Sequence, residues 1–198
     1  MPLITTLAGA SAGGYGGLRT FGVPNSYESI STVTVGSGGA ANVEFTSIPS
    51  TYTHLQIRAL IRNTYTSTVI TANETLQFNS DTGSNYAWHQ VRGQGSAASA
   101  GASSSTNLGL SFADIGGTSV TNFFSAGVMD ILDYTNTNKY KTVRVLTGAD
   151  GNTTNDDWIY LGSTLWQNTS AITSIKLYPG INNFAQYTRF ALYGIKGA

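Results

Sequence analysis

The stretch GVMDILDYTNTNKYKTVRVL, residues 127–146, reads as a β-hairpin. Two runs of alternating apolar and polar residues flank the turn-forming cluster TNTNK, residues 135–139. Pairing Tyr134 with Tyr140 closes a loop from Thr135 to Lys139. It then sets Asp133 opposite Lys141, Asp130 opposite Arg144, Met129 opposite Val145 and Ile131 opposite Val143. Charge and apolar character agree in one register, and a slip of one residue would turn every side chain to the other face. Each charge pair adds only about 0.2–1 kcal/mol, so the agreement specifies register more than stability.

The same period-two pattern runs outward from this hairpin. THLQIRALI, residues 53–61, puts Leu55, Ile57, Ala59 and Ile61 on one face, with Gln56, Arg58 and then Arg62 on the other. SISTVTV, residues 29–35, alternates with Ile30 out of phase. ETLQF, YAWHQV, NLGLSF, AITSIKLY and TRFALYGI continue the series. Turn clusters separate them, among them GSGGA, NSDTGSN (79–85) and GADGNTTNDD (148–157). Helical periodicity is missing almost everywhere. Eight to ten short strands at this spacing predict an all-β chain folded as a jelly-roll-like β-sandwich. GQGSAASAGASSS, residues 93–105, has no charge and no large side chain and reads as a flexible surface loop.

Composition narrows the function. The chain has 198 residues, enough for one domain plus an arm. It has no Cys, so neither disulfides nor thiolate chemistry arise. Charged residues are 10% and net charge is zero, against a usual share of about 25%. Phosphate affinity needs clustered Lys and Arg, so no nucleic-acid partner is expected. No apolar run approaches the ~20 residues of a membrane helix, so no membrane insertion is expected either. LITTLAGASA, residues 3–12, lacks the basic residues that precede a signal-peptide core. Several strands carry apolar residues on both faces, which suggests contacts between subunits.

Reactive constellations are scarce. His54 and His89 each sit inside a strand pattern without the spacing of a metal site, and read as structural. Asp130 and Asp133 are three apart, so a strand points them to opposite faces, unlike the acid pair of a glycosidase. The 148–158 loop holds Asp150, Asn152, Asn155, Asp156 and Asp157 and could present oxygen to Ca²⁺, but no Glu closes it and the plain reading is an Asx-rich turn. GQGSAA, residues 93–98, matches GxGxxA without the following helix that a dinucleotide site requires. No catalytic residue, metal or cofactor is expected. Trp88 and Trp166 read as core. Trp158, with Asn155 and Asp156 beside it, is a candidate glycan contact; the alternative is a rim residue capping the sandwich.

FSAGVMDILDYTNTNKYKTVRVLTG (124–148) and FALYGIKG (190–197) resemble β-rich modules of tailed-phage virion proteins, many of them from phages of cyanobacteria and other aquatic bacteria. AGASAGGYGGLRTFG, residues 8–22, resembles N-terminal segments of phage tail proteins. The resemblance implies a non-enzymatic virion component, commonly a tail fibre or related appendage, often a homotrimer. The partners expected are other tail or baseplate proteins; the resemblance names no binding residues, and contact with a host surface glycan would fall to loops such as 79–85, 93–105 and 148–158. A capsid decoration or cement protein is the alternative. The division expected is a docking arm over residues 1–24 and a sandwich over residues 25–198. The arm is poor in side chains, so it gains little by folding alone, and Tyr15, Leu18, Arg19 and Phe21 are its anchors on a partner. A disordered terminus is the alternative reading.

Overall fold

The computed structural model describes residues 26–65, 73–113, 122–150 and 157–197. The arm with Tyr15, Leu18, Arg19 and Phe21 lies outside the described residues, as do Asn155 and Asp156. The strands are β1 (Tyr27–Thr34), β2 (Val43–Phe45), β3 (His54–Ile61), β4 (Asn73–Phe78), β5 (Tyr86–Gln94), β6 (Ala97–Thr106), β7 (Gly109–Ala113), β8 (Ser125–Leu132), β9 (Lys141–Ala149), β10 (Trp158–Trp166), β11 (Ile175–Tyr178) and β12 (Arg189–Ile195). They form an eight-stranded sheet, β1-β12-β3-β8-β9-β10-β5-β6, and a four-stranded sheet, β2-β11-β4-β7. Neighbours pair antiparallel throughout. The all-β, jelly-roll-like sandwich expected from the sequence is the fold observed.

The smaller sheet covers one face of the larger. Strand alternation sends Leu55, Ile57, Met129, Ile131, Val143 and Val145 inward. They meet Leu76, Phe78, Leu110, Phe112, Ile175 and Leu177 of the small sheet in one apolar core. At one end Phe78 and Tyr86 pack against Trp166, with ring centroids 5.5 and 6.4 Å from the indole. Trp166 is buried as expected, and Trp88 packs partly buried at the edge of the same cluster. At the other end the Phe112 ring packs against Gly127, where a Cβ would come within 2.5 Å of it. A glycine is needed there for ring and backbone to approach so closely.

The hairpin has the register read from sequence: Met129 pairs with Val145, Asp130 with Arg144 and Ile131 with Val143. The ladder stops one step later, at Leu132 and Thr142, and the loop differs from expectation. Asp133 takes a left-handed backbone at φ 49° and ends the strand. Tyr134 then turns inward, fully buried, and donates its hydroxyl to the Pro49 carbonyl, while Tyr140 stays exposed. Asp133 therefore does not meet Lys141. It pairs with Lys139, and its backbone N–H donates to His54 Nδ1 at 2.9 Å. Lys141 is fully buried, and its ammonium donates to the carbonyls of Asn136, Lys139 and Thr169 at 2.6, 3.0 and 3.0 Å. Asp130 faces Arg144 across the ladder but accepts its hydrogen bond from Gln56 Nε2 at 2.8 Å.

Two other readings meet different fates. Ile30, out of phase in sequence, sits where the β1–β12 register shifts between Ser29 and Ser31, so it is the extra residue of a β-bulge. The expected loop 93–105 is instead mostly strand: Gly95 turns at φ 53°, and Ala97–Thr106 returns along β5 as β6. Its small side chains do not oppose this, because ladder pairing is made by main-chain groups.

NSDTGSN closes on itself. Asp81 accepts from Trp166 Nε1 at 2.7 Å, from Asn85 Nδ2 at 2.9 Å and from the Gly83 N–H at 2.9 Å. Partial burial opposes ionisation, but the bonds from Asn85, Trp166 and Gly83 outweigh it and hold the carboxyl below its usual pKa. Its stabilising effect is therefore complete above the unfolded value of about 3.9 and is lost as pH falls through the lower folded value. Asp81→Asn removes this component, and melting temperature measured from pH 6 to pH 2 falls less steeply below pH 4 than in wild type.

Candidate functional site: the outer face of the large sheet

Among the described residues, the other face of the large sheet is left open. Strand register arranges that face in rows. One row reads Arg58, Val128, Leu146, Leu161, Val91, Ala100 from β3 to β6. The next reads Leu60, Ala126, Gly148, Ile159, Gly93, Ala98. On the other side lies Gln56, Asp130, Arg144, Ser163, His89, Ala102. Ile159 is 62% exposed and Leu60 50%, with Leu146, Leu161 and Val91 close behind. Soluble monomers seldom leave so many large apolar side chains together in water. Ala126 and Gly148 lie between Leu60 and Ile159 in the same row, and the small residues form a shallow depression between them.

Polar groups frame this apolar strip. Arg58 lies over the Tyr27 and Tyr193 rings, 5.6 and 6.0 Å from their centroids, and the two rings stack at 4.7 Å. Tyr27 donates to Gln56 Oε1 at 2.8 Å, and Gln56 in turn donates to Asp130. Burial raises the Tyr27 pKa against the opposing Arg58 charge, so the phenol stays a donor at neutral pH. The set orders a surface and offers no acid–base pair aimed at a common point. Among the described residues no three His, Cys, Asp or Glu side chains gather as a metal site.

The residues singled out from sequence fall elsewhere. Trp158 is buried at 8% exposure, packed on Phe123 and Ala149, with the Arg92 guanidinium 4.7 Å from its ring centroid. These neighbours cover the ring, in a small cluster apart from the main core. His54 is a structural acceptor on the Asp133 backbone. His89 lies on the outer face, in the row of Arg144 and Ser163. The outer strip was not among the expected site residues. Its signal was present, because WIYLGSTLW carries apolar residues on both parities: Trp158, Tyr160 and Trp166 turn inward while Ile159 and Leu161 turn out.

No family model and no curated protein matches this chain. Among solved structures, the binding domain of botulinum neurotoxin DC in complex with SialylT aligns at TM-score 0.25 and 11% identity, over 87% of this chain and 42% of that one. The chain thus spans less than half the length of that neighbour. The VIP36 exoplasmic/lumenal domain in its Ca²⁺/Man-bound form aligns at TM-score 0.26 and 10% identity, over 77% and 81% of the two chains. A xylan beta-1,4-xylosidase from Bacillus halodurans aligns at TM-score 0.25 and 7% identity, over 79% and 33%. Alignments this shallow say nothing about what the present chain binds.

Proposed function

We propose that this chain is a non-enzymatic structural component of a phage virion, a short tail fibre or tail-associated appendage. It attaches through residues 1–24 and presents its sandwich for contact with the host surface. The observation that carries the reading is the outer sheet face. A chain of such low charge sets Leu60, Leu146, Ile159 and Leu161 open to water on one rigid surface. Such a surface is suited to assembly with protein. Support for the phage context comes from the hairpin and closing-strand resemblances.

Antibody labelling of intact particles tests the reading, with label expected on the tail. Label on the capsid shell would overturn the tail assignment in favour of decoration, and unlabelled particles would overturn the virion reading. Deletion of residues 1–22 is expected to abolish incorporation while leaving the melting temperature within about 2 °C of wild type, since tail segments add little to a packed core. Normal incorporation of the folded deletion would remove the arm from the account.

A further inference from the structure

We propose that the outer face of the eight-stranded sheet joins two copies of this chain across a two-fold axis running parallel to the strands, between β8 and β9. The inference rests on reading the chain as a component built to assemble. It names the partner of the exposed face as a second copy.

The pairing register carries the argument. In the order β1-β12-β3-β8-β9-β10-β5-β6, the midline falls between β8 and β9. A two-fold axis along that midline lays β8 of one copy over β9 of the other, and β3 over β10. Residues that are cross-strand partners within one chain become facing residues between chains. Val128 and Leu146 are such partners, and so are Asp130 and Arg144. Val128 then meets the partner's Leu146, and Asp130 meets the partner's Arg144, each contact occurring twice. One step out, Leu60 faces the partner's Ile159. Apolar meets apolar and anion meets cation with no adjustment of register.

The remaining charges fit the same axis. Arg58 on β3 and Arg189 on β12 lie to one side of the midline. The rotation lays β12 over the partner's β5, where Arg189 faces Gly93, and β3 over the partner's β10, where the Arg58 stem faces Leu161. Both cations thus meet uncharged residues, and like charges stay apart. An axis across the strands would lay β3 on its own copy and set Arg58 near the partner's Arg58.

Size agrees. Eight strands spaced about 4.8 Å apart, and about 30 Å long, present roughly 1,000 Å² to a facing sheet. A stable interface needs about 800 Å² per partner. Packed sheets lie about 10 Å apart and turn by about 30°, so the pairs beside the axis stay opposed and the outer ones shift.

Analytical ultracentrifugation of the full chain tests the pairing. Wild type is expected to sediment at twice the mass of one chain. Asp130→Arg and Arg144→Asp each replace two attractive contacts with two repulsive ones, and each is expected to weaken dimerisation about 100-fold. An equimolar mixture of the D130R and R144D chains is expected to dimerise within a few-fold of wild type, because reversed charges then meet across the axis. Leu146→Asp is expected to give monomer. The altered side chains are on the outer face, so unchanged circular dichroism and melting separate lost pairing from lost fold. A wild-type monomer or trimer, or a mixture no tighter than its components, overturns the proposal. A monomer that still labels on particles would overturn the pairing and leave the virion reading in place; a dimer absent from particles would do the reverse.

Discussion

Trp166→Ala is expected to lower the free energy of unfolding by about 4 kcal/mol, the middle of the range for emptying a large aromatic site in a packed core. For a chain of this size that is a fall of about 10 °C in melting temperature. The indole is 1% exposed and packs against Phe78 and Tyr86. Its Nε1 donates to Asp81, so the substitution also takes one donor from the NSDTGSN turn. Trp166→Phe separates the two contributions, because it keeps most of the ring and loses the donor. A loss of about 1–2 kcal/mol is expected for it. Thermal and urea melts of both variants check the pair of values. A Trp166→Ala loss below 1 kcal/mol would mean that the end of the sandwich is not close-packed.

Lys141→Met is expected to cost about 3 kcal/mol, measured by urea unfolding, although it replaces a cation by an apolar group of similar length. Burial presses the Lys141 pKa downward, and the neighbouring Lys139 charge adds to this. The ammonium is nevertheless surrounded by three carbonyl oxygens from two loops. A hydrogen bond to a charged group contributes about 1.5–3 kcal/mol net of exchange with water, and the burial of the cation offsets part of the sum. Methionine fills the stem and leaves the carbonyls of Asn136, Lys139 and Thr169 without their donor. The two loops then lose the link that fixes their ends. A variant as stable as wild type would show that water replaces the ammonium at no cost.

Lys141 also marks how far the sequence could be followed. Opposite Asp133 in the extrapolated register, it read as half of a surface ion pair. The extrapolation failed at Asp133, whose left-handed backbone ends the strand two residues before the predicted loop. Short polar side chains adopt that conformation at modest cost, so nothing in the local pattern announces it. Trp158 failed for a different reason. Its neighbours in sequence are acidic and turn-forming, but Arg92 from β5 and Phe123 from the segment before β8 cover its ring. The arm residues Tyr15, Leu18, Arg19 and Phe21, and Asn155 and Asp156 beside Trp158, lie outside the described residues.

Sequence by itself determined the strand class, the apolar faces of β3, β8 and β9, the hairpin register over Met129, Asp130 and Ile131, and the break in alternation at Ile30. Each follows from a period of two read over a few neighbouring residues, and backbone geometry enforces that period locally. Tertiary structure alone decided which face of each two-sided strand would stay open. Ile159 and Leu161 are as apolar as the residues that turn inward from β10, and only the placement of a four-stranded sheet on the opposite face leaves them in water. Burial is a property of what lies across the sheet, and those residues are distant in the chain.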